Sequence, residues 1–255
     1  MTNLISISCR ISILTMLFSS VVLAAPAPIT LSGTEFLKSV IANTNTAYVT
    51  SPEFNLFRET ILTHFVNVKL CWKPARGIPS AKWIAKEIDA TWEAANRFYY
   101  GEPDAPYILF TVGLSESGGF PRGNAPLGED SHGWTCATVE EARRAGRAYS
   151  DIPCPRLGSD VAEKLDSDPK YCMMVTAAVL RFHMYEYKGD FIRALMVYKY
   201  GARGLDRALG TLPPGTPITT LRVWKHYIAL LEWIYCIRSR VVLHMTIDCG
   251  CARNW

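Results

Sequence analysis

Between Tyr107 and Ser115 the chain runs almost without interruption through apolar side chains and then meets Glu116-Ser117-Gly118-Gly119. An element that is apolar on every side belongs in an interior. Asp104, Ala105 and Pro106 before it form a helix start, because proline is tolerated in a first turn. The sequence therefore predicts a buried helix, stopped by two glycines, with an acidic side chain at its end. Apolar surroundings disfavour a carboxylate and raise its pKa. A carboxylic acid still protonated near neutrality can give its proton to a leaving oxygen and later take one back. Glu116 is on these grounds the candidate catalytic residue; the alternative is a helix-end glutamate that points to water.

Helical spacing recurs along most of the chain. Ser80 precedes Ile84, Ile88, Thr91 or Trp92, Ala95 and Phe98, three and four apart, with a stop near Gly101. Phe120 to Gly133 reads as a loop, and Thr138 with Glu141 makes a capping box that opens a helix to about Ala148. Asp168-Pro169 opens another that ends at Gly189, and Asp190 caps a third from Phe191 to Tyr200, closed by Gly201. Leu221, Trp224, Ile228, Leu231 and Tyr235 mark a last helix, read as packing onto the domain. One or two further helices are expected around Phe36 to Ile41 and Phe54 to Phe65, and Val241 to Ile247 is either a strand or the frayed end of the last helix. The fold class is mainly α.

Composition enters when partners are considered. With 255 residues, 49% of them hydrophobic, the chain can bury a large core, which excludes a disordered or fibrous protein. A net charge of +4 and a pI near 8.6 do not call for a nucleic acid, but they suit an anionic polymer such as a cell wall. Arg10, the apolar run Ile11 to Leu23, and the small residues Ala24 and Ala25 have the layout of a secretory signal peptide, cut after Ala24. The run falls short of the roughly 20 apolar residues of a membrane span, so no stable span is expected after cleavage; a short uncleaved anchor is the alternative.

Export changes the meaning of the cysteines. Cys9 leaves with the signal, and Cys71, Cys136, Cys154, Cys172, Cys236, Cys249 and Cys251 remain. An odd number in an exported chain gives up to three disulfides and one thiol left over. His132 and Cys136, four apart, are the start of a zinc site, but no Cys-x-x-Cys pair joins them and Cys249-Gly250-Cys251 is too tight. No metal or cofactor is expected.

Three segments taken together carry a resemblance. Glu116-Ser117-Gly118-Gly119-Phe120-Pro121, then Ser131-His132-Gly133-Trp134, then Tyr171 to Gly201 with Tyr187-Lys188-Gly189-Asp190-Phe191 and Tyr198-Lys199-Tyr200-Gly201, resemble the lytic transglycosylases of soluble-lytic type. That family has Glu-Ser at the end of a buried helix, a Ser-x-Gly-Leu-Met-Gln-like segment, and Ala-Tyr-Asn-x-Gly. The resemblance covers residues 80–206. It implies a lysozyme-like helical domain there, after a signal peptide (1–24) and an N-terminal helical extension of unknown role (25–79), and before a C-terminal helix and Cys-containing tail (207–255). It implies cleavage of the β-1,4 bond between N-acetylmuramic acid and N-acetylglucosamine, with one Glu as acid and then base, giving a 1,6-anhydro sugar. Glu116 would be that acid, and Ser117, Ser131, Gly133, Trp134 and Tyr198 would contact substrate. The partners so implied are peptidoglycan strands in the periplasm or cell envelope, with an envelope assembly or secretion apparatus as a further one.

The chain departs from the family at two places. Trp134-Thr135-Cys136 stands where the family has Leu-Met-Gln, and Lys199 stands where it has Asn. Cys136 is expected in a disulfide with Cys154 or Cys172. Two other functions fit the same residues: a hydrolytic muramidase, which needs a second carboxylate such as Glu129 or Asp130, and a non-catalytic wall-binding or assembly protein.

Overall fold

A computed structural model describes residues 38–68, 78–119, 131–153 and 158–243. The expected signal segment, Phe120-Pro121, Glu129, Asp130, Cys71, Cys154, Cys249 and Cys251 lie outside these residues. The chain is mainly helical: α1 (38–43), α2 (Pro52–Asn67), α3 (Ala81–Phe98), α4 (Ala105–Ser117), α5 (Val139–Ala148), α6 (Gly158–Ser167), α7 (Pro169–Glu186), α8 (Phe191–Tyr200), α9 (Ala202–Gly210) and α10 (Arg222–Val242). A short antiparallel ladder, β1 (Ser131–His132) with β2 (Ala137–Thr138), pairs Ser131 with Thr138. No helix among the described residues is long and apolar enough to cross a membrane.

The helix starts follow from side-chain chemistry. Ser80 accepts from the amide of Trp83 at 3.2 Å, and Asp168 and Asp190 cap α7 and α8 in the same way. At α5 both halves of the capping box form: the Glu141 amide donates to Thr138 Oγ1 at 3.1 Å and the Thr138 amide donates to Glu141 Oε2 at 2.8 Å. Pro106 sits in the first turn of α4, and Gly118 ends that helix with φ 68°, a left-handed value that other residues adopt only at a cost.

Helix α4 lies in the middle. Helices α3 and α10 pack along it, while Phe57 and Phe65 of α2 meet the Phe110 ring edge-on at 6.1 and 6.2 Å. Trp134 is fully buried against the helix at Gly113, where a Cβ would stand 1.9 Å from Trp134 Cζ3. The core runs without a break from Val40 to Ile237, so neither the 79/80 nor the 206/207 boundary parts it. The C-terminal helix α10 covers α4 as much as α3 does and also packs on α2, where Trp233 donates its indole N–H to His64 at 2.9 Å.

Two sequence expectations change, and between them one alternative is decided as far as the described residues reach. Helix α10 buries Tyr227, Leu230, Trp233, Ile234 and Ile237, whereas Trp224, Ile228, Leu231 and Tyr235 are only half-buried. The aromatic and aliphatic residues there are dense enough to offer two overlapping stripes, and contact with α2 and α4 selects the inner one. The Val241 to Ile247 stretch begins as the last turn of α10, with residues 244–247 outside the described ones. Helices α6 and α9 and the β1–β2 ladder are present although short or polar segments gave no periodic signal for them.

Gly113→Ala is expected to lower stability by about 2 kcal/mol despite alanine's better helix propensity, because overpacking against a fixed indole outweighs it. A lower urea midpoint with unchanged slope checks this. His64 supplies a second test. Burial lowers its pKa to about 3, so the unfolded chain binds the proton that the folded chain refuses. Its contribution is fully present above the unfolded value of about 6.5 and is lost as pH falls toward 3. His64→Gln, which can still accept from Trp233, is expected to lose less stability than wild type between pH 6.5 and 4 in the same denaturation series.

Candidate active site

The buried helix delivers Glu116 to the edge of the core, one residue before its last. The side chain is 6% exposed, and Lys199 of α8 donates from its ammonium to Oε2. Ser117 is buried; its hydroxyl donates to the Gly113 carbonyl at 3.2 Å and accepts from the Gly119 amide at 3.1 Å, so it ties the end of the helix to the two-glycine stop.

The turn between β1 and β2 closes on the same spot. Asp166 at the end of α6 holds it, accepting from the Gly133 amide at 2.8 Å and lying 3.2 Å from His132 Nδ1. Gly133 has φ 72°, and a Cβ there would come within 2.5 Å of both Cys172 Sγ and the Leu165 carbonyl, so only glycine fits. Cys136 is left-handed as well, with φ 56°, and donates from Sγ to the Glu116 carbonyl at 3.9 Å. Helix α8 is fixed by Tyr198, whose hydroxyl donates to the Thr135 carbonyl at 2.8 Å and lies 3.2 Å from Thr176 Oγ1. Thr135 Oγ1 stands 2.7 Å from Thr176 Oγ1 and 2.9 Å from Cys172 Sγ, which completes a buried polar chain between the turn, α7 and α8.

Opposed forces set the proton affinity of Glu116. Burial raises its pKa; the charge of Lys199, its hydrogen bond, and the Cys136 thiol lower it, and burial prevails. Glu141 also has a raised pKa, from burial first, and the Glu116 charge adds to this although Thr138 bonds pull the other way. Cys136 is pushed up to about 12 by burial and then by Glu116, so its thiol stays protonated and is not poised as a nucleophile.

The expected site residues divide accordingly. Glu116 has the buried environment that its position suggested, and burial raises its pKa against the pull of Lys199. Ser117, Gly133 and Tyr198 stand around it, but each spends its polar groups or its space on local structure. Ser131 is half-buried in the ladder. Trp134 is 0% exposed, so its ring has no face open to a sugar. The expected Cys136–Cys172 disulfide does not form: one thiol turns to Glu116 and the other to Thr135, and both are free. A cavity of about 400 Å³ between Tyr99, Ile108, Leu180, Met184 and Phe191 lies at the opposite end of α4 and does not include Glu116.

Sequence reasoning missed two acidic neighbours. Glu141 was legible only as a cap. Glu87 of α3 is fully buried, takes the Trp83 indole N–H on Oε1, has no partner for Oε2 among the described residues, and lies 3.6 Å from where a Gly119 Cβ would stand. Burial raises its pKa well above the ordinary carboxylate value, against the pull of the Trp83 hydrogen bond. A glutamate on the apolar stripe of a helix was the available signal. Comparison of the chain with protein-family models, curated proteins and solved structures yields no match.

Tyr198→Phe is expected to cost about 1–2 kcal/mol, since the Thr135 carbonyl and the Thr176 hydroxyl lose a partner in a dry environment. Chemical denaturation measures it, and the substitution should leave the far-UV circular dichroism unchanged.

Proposed function

We propose that the protein is a peptidoglycan lytic transglycosylase in which Glu116 serves as acid and then as base. The observation that carries this reading is convergence. The three separate segments that resemble the family converge on one residue, through contacts made where the chain departs from the family's motifs: Cys136, just after the second segment, donates to the Glu116 backbone carbonyl, Lys199 of the third pairs with the Glu116 side chain, and Tyr198 binds Thr135 across them. Chain separations of 20 and 83 residues make this a tertiary fact, independent of the resemblance itself.

The chemistry follows from a single carboxyl group with a raised pKa. Protonated Glu116 gives its proton to the glycosidic oxygen as the bond to the muramic C1 breaks. Positive charge develops at C1, shared by the ring oxygen or by the substrate's own acetamido group. The carboxylate then takes the proton of the 6-hydroxyl while O6 bonds to C1, and the acid is regenerated with the anhydro ring closed. No water is consumed and no second carboxylate is required. Export to the periplasm or cell envelope goes with this reading.

Two competing functions draw on particular observations. A hydrolytic muramidase would need a carboxylate to hold water, and Glu141, which feels the charge of Glu116, is the candidate among the described residues. Its oxygen Oε2 is committed to Thr138, which argues against that role. A wall-binding protein without activity would draw on Lys199, which favours the ionised form of Glu116.

Digestion of purified sacculi, with mass spectrometry of the products, tests the reading. Wild type is expected to release 1,6-anhydro-muropeptides, and Glu116→Gln to lose at least about 100-fold of that rate while folding normally. Reducing ends would favour the muramidase; no release by either protein would favour the binding protein.

A further inference from the structure

We propose that the cavity at the start of α4 is a binding site for a single-chain amphiphile, with an apolar chain inside and an anionic carboxylate head at the mouth. The site lies at the other end of α4 from Glu116, about 17 Å away at the rise of a helix, and it stands whether or not Glu116 cuts a glycan.

The first turns of α4, the end of α7 and the start of α8 enclose the cavity. Leu109 and Leu180 are its buried floor, and Ile108, Met184 and Phe191 are its half-buried walls. Its volume of about 400 Å³ falls in the range of small-molecule sites. Tyr99, just past α3, is the polar side chain among them, and its hydroxyl is spent on the Ala177 carbonyl at 3.1 Å. A sugar or a peptide would therefore bury hydroxyls or amides without partners, whereas a hydrocarbon chain has no polar group to lose.

Charge gathers at the mouth. Arg181 and Lys188 are exposed there, and neither enters an ion pair among the described residues. Arg181 lies over the Tyr99 ring at 5.7 Å instead. Of the two acids at the mouth, Asp104 is matched by Arg238 at 2.7 Å, which leaves Glu102 against two cations. The mouth is thus net positive, and the first turn of α4, to which Asp104 gives no side-chain cap, adds its positive pole. Lys188 is held with φ 53°, a left-handed value that glycine or asparagine adopts at less cost, so the backbone there did not call for a lysine. Tyr185 at the same mouth is 85% exposed, a large ring left in water beside an apolar interior. An anionic head on an apolar chain answers all of these features. A neutral chain answers the interior alone, and a membrane surface cannot enter a cavity set between three helices.

Calorimetric titration of the full chain with sodium decanoate, below its micelle concentration, tests the site, with decyltrimethylammonium and sodium butyrate as the comparisons. One decanoate per chain is expected to bind, the cationic amphiphile at least about tenfold more weakly, and butyrate without measurable heat. Lys188→Asn, which suits the left-handed backbone, and Arg181→Gln are each expected to weaken decanoate about tenfold, as the loss of one charged partner does. Both replace exposed side chains, so folding is expected to be unchanged by circular dichroism. The methyl-carbon NMR signal of Met184, assigned with Met184→Leu, should shift as decanoate is added and places the chain in the cavity. No binding of decanoate, equal affinity for the two head groups, unchanged affinity in both charge variants, or an unmoved Met184 signal would each overturn the proposal. Sacculus digestion reads Glu116 and not this cavity, so the two readings fail separately.

Discussion

A helix of 13 residues with no polar stripe has no stable place on a surface, and α4 forces the rest of the chain to enclose it. Its neighbours come from every part of the sequence: Phe57 and Phe65 from α2, the face of α3, the indole of Trp134, and the inner stripe of α10. Gly113 lets the indole lie directly on the helix, and Gly118 turns the backbone out of it. The environment of Glu116 is a by-product of this enclosure. The packing that buries Tyr107 to Leu114 also buries the first charged side chain after them, and desolvation raises its pKa before any specific partner is considered.

The turn and α8 are held to that helix end by polar groups, which is unusual for a core and informative about the site. Thr135, Thr176, Cys172 and Tyr198 form a connected set with no water-facing member, and Asp166 fixes the backbone of Gly133 from below. Such a network is costly if any member is lost and specifies one arrangement when complete. It explains why segments so far apart in the chain keep their register at Glu116, and why residues that resemble substrate contacts, Ser117 and Tyr198 above all, bond to protein here.

Local chemistry was the legible part of the sequence. Ser80, Thr138 with Glu141, Asp168 and Asp190 each start the helix that their side chains announce, because a cap depends on neighbours three residues away. The buried helix with its terminal acid was legible for the same reason: an all-apolar run has one outcome. What depended on distant partners was not. Trp134 follows a glycine in a polar stretch, and only the space above Gly113 decides that it is core. Cys136 and Cys172 are both near Thr135 yet unpaired, a matter of side-chain direction that spacing does not encode. Lys199 stood out only as a departure from a motif, with no hint that its ammonium would reach a residue 83 positions earlier.

That departure is where the physics of the site is most finely balanced. An asparagine beside a buried acid leaves its proton affinity to desolvation, whereas a lysine opposes desolvation with a full charge. Burial prevails at Glu116 over the opposing charge and hydrogen bond of Lys199. A ligand that covers the site adds desolvation, and one that attracts the lysine subtracts the opposing charge. Both move the carboxyl group toward its protonated form, the form in which it can donate.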